Sequence, residues 1–283
     1  MTTIDARRTS ISVAEPATPR ATGAGFTTAS LQSAKRTILQ FFRTPQLLML
    51  GTVQGALFLF MFRYIFGGAI HPPGGLSYVD FLVPGFLATG ILWLGAPASA
   101  GVAEDAATGV YDRLRSLPIP RASVMFGRSL ADSAMTIWGL AVGTALAFAV
   151  GFQLHTDALD VLVGIGVLLA ATYSFMWVFI TIGLVSKNAQ AANGTSFLLI
   201  VPVAFVSAAY VPALSLPSWM HAVANNQPFT VFSNALRSLT LGGAHAVGLG
   251  HSTTYWVLLS LVWCAGITLV FSSIAVRRFS RRR

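Results

Sequence analysis

The chain has 283 residues, of which 54% are hydrophobic and only 10% are charged. This composition excludes an ordinary soluble domain and indicates a membrane protein. The net charge of +9 would suit a nucleic-acid-binding protein if the basic residues formed one patch. They fall instead between long apolar segments, so no nucleic-acid partner is expected.

Six apolar segments have about the 20 residues that a helix needs to cross a hydrocarbon core ~30 Å thick. They predict an all-α integral membrane protein with six transmembrane helices. The expected spans lie near residues 46–66, 81–103, 129–150, 161–184, 195–214 and 255–275.

The basic residues are distributed to one side of this arrangement. Sixteen of the 18 Lys and Arg residues lie before the first span, after the second, after the fourth or after the sixth. Since Lys and Arg mark the cytoplasmic face, both termini are predicted to be cytoplasmic. Of the other two, Arg63 is expected to reach the outer headgroups from the first span, and Arg237 to lie in the last external segment.

The ends of the chain differ in composition from its centre. Residues 1–25 lack an apolar core and predict a disordered cytoplasmic tail, while residues 276–283 predict a short basic cytoplasmic tail. The region between them, 26–275, is expected to be one transmembrane domain. Its first part, 26–43, mixes apolar and basic residues and predicts a helix along the inner membrane surface, although such a helix could also bind a partner.

No catalytic chemistry is evident. The sequence has no GxSxG or HExxH motif and no close His or Cys ligand spacing, so no catalytic residue and no metal site are predicted. Its only lysines, Lys35 and Lys187, do not belong to a GxxxxGK[ST] phosphate loop. No cofactor is therefore expected on this chain. Inside the spans Asp132 is the only acidic candidate, and it lies near the cytoplasmic end, which disfavours an ion-coupled carrier.

The stretch GVYDRLRSLPIPR, residues 109–121, predicts a short cytoplasmic amphipathic helix. Val110, Leu114 and Leu117 are spaced i, i+4, i+7, and two prolines then end the helix. Because this apolar stripe is so short, it must pack against the membrane, against its own bundle or against another protein. The helix and its approach comprise Glu104, Asp105, Gly109, Val110, Tyr111, Asp112, Arg113, Leu114, Arg115, Leu117 and Pro118.

The external segment 216–243 predicts two further short helices that meet at a turn. Apolar residues recur at helical spacing, Pro217 and Pro228 suit first-turn positions, and Gly242-Gly243 suits a stop. Each helix is too short to span, so we expect the pair to enter the outer leaflet or to cap the bundle. The residues that mark this re-entrant pair are Pro217, Trp219, Pro228, Phe229, Phe232 and Arg237.

Three segments, in this order, resemble the membrane subunit of type-2 ABC exporters, and they fit the daunorubicin-resistance branch best. They are YVDFLVPGFLATG, EDAATGVYDRLRSLPIPR and VPALSLPSWMHAVANNQPFTVFSNALRSLTLGG. The resemblance extends over residues 26–283.

The resemblance implies a permease of the bacterial plasma membrane that exports an amphiphilic drug, a lipid or a related hydrophobic substrate. It also implies that the helix around 109–117 is the coupling helix, which docks on an ABC ATPase subunit. Two such ATPases, carrying ATP and Mg²⁺, would work with this chain and with a second permease subunit, identical or different. The alternative function is an ion-coupled carrier or channel that acts without an ATPase.

Overall fold

The computed structural model describes residues 25–42, 45–68, 70, 72, 76–212, 216–243 and 248–281, without side-chain detail for 40–42, 45–52 and 281. Most of the predicted N-terminal tail lies outside these residues. In the described part of the chain every regular element is helical. The α-helices are α1 (Phe26–Phe42), α2 (Pro45–Met61), α3 (Tyr78–Ala107), α4 (Val110–Ser116), α5 (Arg121–Ala149), α6 (Ala158–Val185), α7 (Ala189–Val206), α8 (His221–Asn226), α9 (Pro228–Thr240) and α10 (Thr253–Arg281).

Five of the described helices are long and apolar enough to cross a membrane: α3, α5, α6, α7 and α10. They correspond to the second through sixth predicted spans, although α7 begins and ends several residues before the predicted 195–214. The first predicted span corresponds to α2, which continues as a π-helical turn over Phe62–Phe66. In the residues that the structure describes, the apolar part of this helix is Val53–Phe66. Because this stretch is shorter than the five long helices, the sixth span stays a prediction.

Helix α3 lies at the centre of the bundle. It packs against α5, α6, α7 and α9, while α10 packs on α6 and α9, and α1 lies along α5. A helix that is packed on several sides must carry apolar or small residues on all of those sides. Most of α3 is accordingly buried, including a run of contiguous residues from Phe81 to Gly85.

The segment between α7 and α10 contains the two short helices that the sequence predicts. A 3₁₀ turn at Ser218–Met220 leads into α8, and α9 begins at Pro228, as its first-turn proline predicts. Every residue from Phe229 to Leu239 is buried, because α9 packs among α3, α6 and α10. The apolar surroundings of α9 are therefore the bundle itself, and entry of the pair into the outer leaflet, or a cap on the bundle, stays a prediction.

Two basic regions next to the predicted spans are helical. Arg128, which the sequence places in the loop before the third span, is a buried residue of α5, because that helix already begins at Arg121. At the other end of the chain α10 continues to Arg281. The basic residues Arg277 and Arg278 are therefore part of its last turns.

Candidate coupling site

The predicted short helix between the second and third predicted spans is present as α4. Helix α3 ends at Ala107, and Gly109 then adopts φ 74°, a left-handed conformation that glycine accepts without a steric penalty. The carbonyl oxygen of Gly109 accepts hydrogen bonds from the backbone N–H groups of Asp112 and Arg113, both at 3.2 Å. After Ser116, Leu117 adopts an extended conformation, the chain bends over residues 117–119, and Pro120 directly precedes α5.

One face of α4 is anchored in the bundle. Tyr111 is 3% exposed, and its ring meets that of Phe279 edge-to-face with centroids 5.4 Å apart. It belongs to a core cluster with Met125 and Trp177, against which Leu114 also packs. Burial raises the pKa of the Tyr111 phenol, because desolvation disfavours the phenolate, so the ring behaves as a neutral packing group.

Arginine side chains of α4 and of the start of α5 bind the end of α10. The Nε–H of Arg115 donates to the carbonyl oxygen of Phe279 at 3.1 Å, and Arg121 donates to that of Ser280 at 3.0 Å. The Arg115 guanidinium also lies 4.6 Å from the centre of the Phe279 ring and 2.7 Å from Asp112. The last carbonyls of a helix lack partners within it and carry partial negative charge, so arginine is well suited to this position.

The opposite face of α4 is open. Asp112, Arg113 and Ser116 are exposed, and Leu117 is 51% exposed. The predicted stripe is thus divided: Val110 and Leu114 are half-buried, whereas Leu117 points away from the bundle. The surface that a partner can reach is Arg113, Ser116, Leu117 and Pro118, which we name the α4 outer face.

The two acidic residues that precede α4 have different surroundings. Glu104 is exposed, but Asp105 is buried and its Oδ2 lies 2.6 Å from Arg128 and 3.0 Å from Arg36. Arg128 in turn donates from Nε to Asp132 at 2.8 Å. This ion-pair network joins α1, α3 and α5 close to the start of α4.

The network was not predicted, although part of its signal is in the sequence. Arg128 and Asp132 are spaced i, i+4, which places them on one helix face. Arg36 was expected on a helix along the inner membrane surface and Arg128 before the third span, because the sequence does not reveal that α1 packs along α5.

At the other end of the bundle Arg237, which lies in the segment predicted to be external, is fully buried. It donates to the carbonyl oxygens of Phe81 at 3.0 Å and Ala209 at 2.8 Å, and to Asn234 Oδ1 at 3.1 Å. Its guanidinium lies 3.6 Å from the centre of the Phe81 ring, which adds a cation–π contact. Arg237 thereby fixes α9 against α3 and the segment that follows α7.

The other residues of the predicted re-entrant pair fall into two groups. Pro217 precedes the 3₁₀ turn, and Trp219 within it is 78% exposed. Phe229 and Phe232 are buried and pack on the ring of Phe175 of α6. The exposed part of the segment is therefore the 3₁₀ turn and α8, not α9.

Comparison with known proteins places these features in a family. The chain is 27% identical over 256 residues, which is 90% of its own length and 87% of the relative's, to the daunorubicin resistance ABC transporter permease protein DrrB1 of Streptomyces coeruleorubidus. It is also 24% identical over 234 residues, 79% of each chain, to the probable doxorubicin resistance ABC transporter permease protein DrrC from two strains of Mycobacterium tuberculosis.

These relatives are ABC transporter permeases, and the five long apolar helices make this chain a multi-pass membrane protein. The family model for the ABC-2 type transporter matches residues 29–241, which extend from α1 to the end of α9. The chain therefore belongs to the ABC-2 type transporter family.

Proposed function

We propose that the chain is the membrane-spanning permease subunit of an ATP-driven exporter in the bacterial plasma membrane. Its substrate is an amphiphilic drug, a lipid or a related hydrophobic molecule. Family membership supports this proposal, and so do the relatives described as daunorubicin and doxorubicin resistance permeases. Because no phosphate loop occurs in the sequence, ATP and Mg²⁺ bind to a separate ATPase. Two ATPase subunits and a second permease subunit complete the complex.

The division of α4 into an anchored and an open face is the observation that carries the proposal. The α4 outer face is available to an ATPase. Tyr111 and Arg115 connect the opposite face to the end of α10. A force applied to the outer face would therefore move α10 along with α4. Such a rigid-body movement shifts the bundle between two states only if the partner binds them with different free energy.

The test uses substitutions on the α4 outer face, because charged residues at Tyr111 would disrupt the core instead. Leu117→Glu is compared with Val185→Glu, since both side chains are 51% exposed and only Leu117 lies next to α4. The chain is reconstituted in liposomes with the ATPase subunit that copurifies with it, and daunorubicin serves as the transport probe. We expect Leu117→Glu to abolish the stimulation of ATP hydrolysis by the permease, whereas Val185→Glu retains it.

The opposite outcome has a defined meaning. If the Leu117→Glu variant stimulates ATP hydrolysis as strongly as the wild type, α4 is not the element on which the ATPase docks. If in addition no ATPase copurifies, the alternative of a carrier or channel acting alone is favoured.

A further inference from the structure

Arg63 is a cation for which the described part of the chain supplies no anionic partner. It lies in the π-helical turn Phe62–Phe66 and is half-buried. The four ion pairs among the described residues do not include it. Its Nε atom is buried and makes no hydrogen bond. A buried N–H donor without an acceptor costs free energy that an anion would recover.

The side chain of Arg63 is held against the protein. Its Nη2 atom lies close to the backbone at Gly151, where a Cβ atom would be 3.8 Å away. Its guanidinium lies 5.6 Å from the centre of the Tyr64 ring. An arginine that only anchors a helix among lipid headgroups keeps its nitrogen atoms in contact with water. The buried Nε atom therefore indicates a more specific partner.

A cavity of about 290 Å³ lies between the π-helical turn and the start of α3. It is lined by Arg63, Tyr64, Gly67, Ser77, Tyr78 and Val79. A Cβ atom at Gly67 would collide with the carbonyl oxygen of Arg63, so this position needs a glycine and contributes no side chain to fill the space. π-Helical turns are rare and occur frequently at functional sites. The cavity is large enough for a small ligand or for one headgroup.

The charges around the cavity favour an anion. Among its described lining residues only Arg63 is charged. The nearby acid, Asp80 in the first turn of α3, does not line the cavity. Its carboxylate accepts hydrogen bonds from Ser77 Oγ at 2.6 Å and from the backbone N–H of Gln153 at 3.4 Å. Arg63 is therefore left without a carboxylate at the wall of the cavity.

We propose that this cavity binds a phosphate group, which the Arg63 guanidinium holds by charge-assisted hydrogen bonds. A planar guanidinium matches a phosphate with two parallel N–H donors. A phospholipid headgroup and a free phosphate ion share this chemistry, and the experiment distinguishes them. The site involves neither α4 nor an ATPase, so it goes beyond the proposed function and does not depend on it.

The test measures lipid binding to the purified full-length chain in a maltoside detergent, which contains no phosphate. Native mass spectrometry gives the affinity of the first bound lipid. The probes are dioleoylphosphatidylglycerol and dioleoylglycerol, which has the same acyl chains but no phosphate. We expect the wild type to bind the phospholipid about tenfold or more tightly than dioleoylglycerol, the effect of a charge-assisted hydrogen bond.

Substitutions of arginine separate this site from general attraction to a basic protein. Arg63→Gln should weaken the phospholipid about tenfold or more and leave dioleoylglycerol unchanged, which also shows that the variant is folded. Arg63→Lys keeps the charge but loses the planar pair of donors, so its loss should be smaller. The control is Arg277→Gln, which removes the same charge from an exposed position in the last turns of α10 and should change neither affinity.

Inorganic phosphate in excess identifies the source of the phosphate group. Displacement of the phospholipid from the wild type would assign the site to free phosphate, and retention would assign it to a lipid headgroup. Three results would overturn the proposal: equal affinity of the wild type for the two lipids, unchanged phospholipid affinity in Arg63→Gln, or an equal loss in Arg63→Gln and Arg277→Gln. The last result would show that only the net charge of the chain matters.

Discussion

The Nε–H group of Arg115 donates a hydrogen bond to the carbonyl oxygen of Phe279 at 3.1 Å. This contact joins a short helix in the middle of the sequence to the last turns of α10. The Phe279 ring contacts both the Arg115 guanidinium and the Tyr111 ring. Coupling through α4 is therefore expected to depend on an anchor as well as on a docking surface.

Replacing Arg115 tests the anchor. Arg115→Gln removes a charged donor to the helix carbonyl, so it should destabilise the fold by about 1–2 kcal/mol and reduce the stimulation of ATP hydrolysis. Arg113→Gln, on the exposed side of the same helix, should leave stability unchanged and weaken ATPase association. Thermal unfolding and copurification of the ATPase separate the two effects. Equal stability of the two variants would show that the Arg115 contact does not hold α4.

Arg128 is predicted to be the most sensitive member of the ion-pair network. Arg128→Met leaves Asp105 and Asp132 buried without their shared cation, a change that typically costs about 3–5 kcal/mol. Arg36→Met should cost about 1 kcal/mol or less, because Arg36 is partly exposed and solvent screens its pair. Midpoints of thermal unfolding in detergent provide the comparison. Similar midpoints for both variants would contradict the burial of the network.

Gly85 is predicted to be essential to the packing of α3. A Cβ atom there would collide with the backbone carbonyl oxygen of Ala209, which also accepts a hydrogen bond from Arg237. Gly85→Ala should therefore destabilise the chain, although alanine is favoured over glycine in a helix by about 1 kcal/mol. Gly166→Ala, with nothing within 4 Å, should be neutral or slightly stabilising. If Gly85→Ala and Gly166→Ala changed the free energy of unfolding in the same direction, that result would argue against close contact between α3 and Ala209.

The predicted topology can be tested by labelling single cysteines. In a Cys264→Ala background, Ser116→Cys reports on α4 and Trp219→Cys on the exposed turn before α8. A membrane-impermeant maleimide added to intact cells should label position 219 and not position 116. Labelling of position 116 before lysis would place α4 on the outer side and remove the basis for docking.

Local sequence signals predicted several elements correctly because their causes are local. Pro118 and Pro120 follow the end of α4, and Pro228 begins α9. Length and apolarity were enough to locate the five long helices to within several residues. All of these features follow from backbone constraints or from the requirement to cross an apolar layer.

Features that depend on which helices pack together could not be predicted in this way. Arg237 was placed only in the last external segment, and its burial was not predicted, because its partners include backbone carbonyl oxygens of α3 and of the segment after α7. The sequence pattern carries no information about such acceptors. For the same reason Asp105 was predicted only as a residue that precedes α4. Its partners, Arg36 and Arg128, lie on two other helices.

The most direct test of the account compares transport with and without the ATPase. Liposomes are prepared with the purified chain alone, or with the chain and its copurifying ATPase, and daunorubicin movement is followed with and without ATP. The account predicts movement only when both proteins and hydrolysable ATP are present, and its loss in Leu117→Glu. Movement driven by the chain alone, without nucleotide, would contradict it.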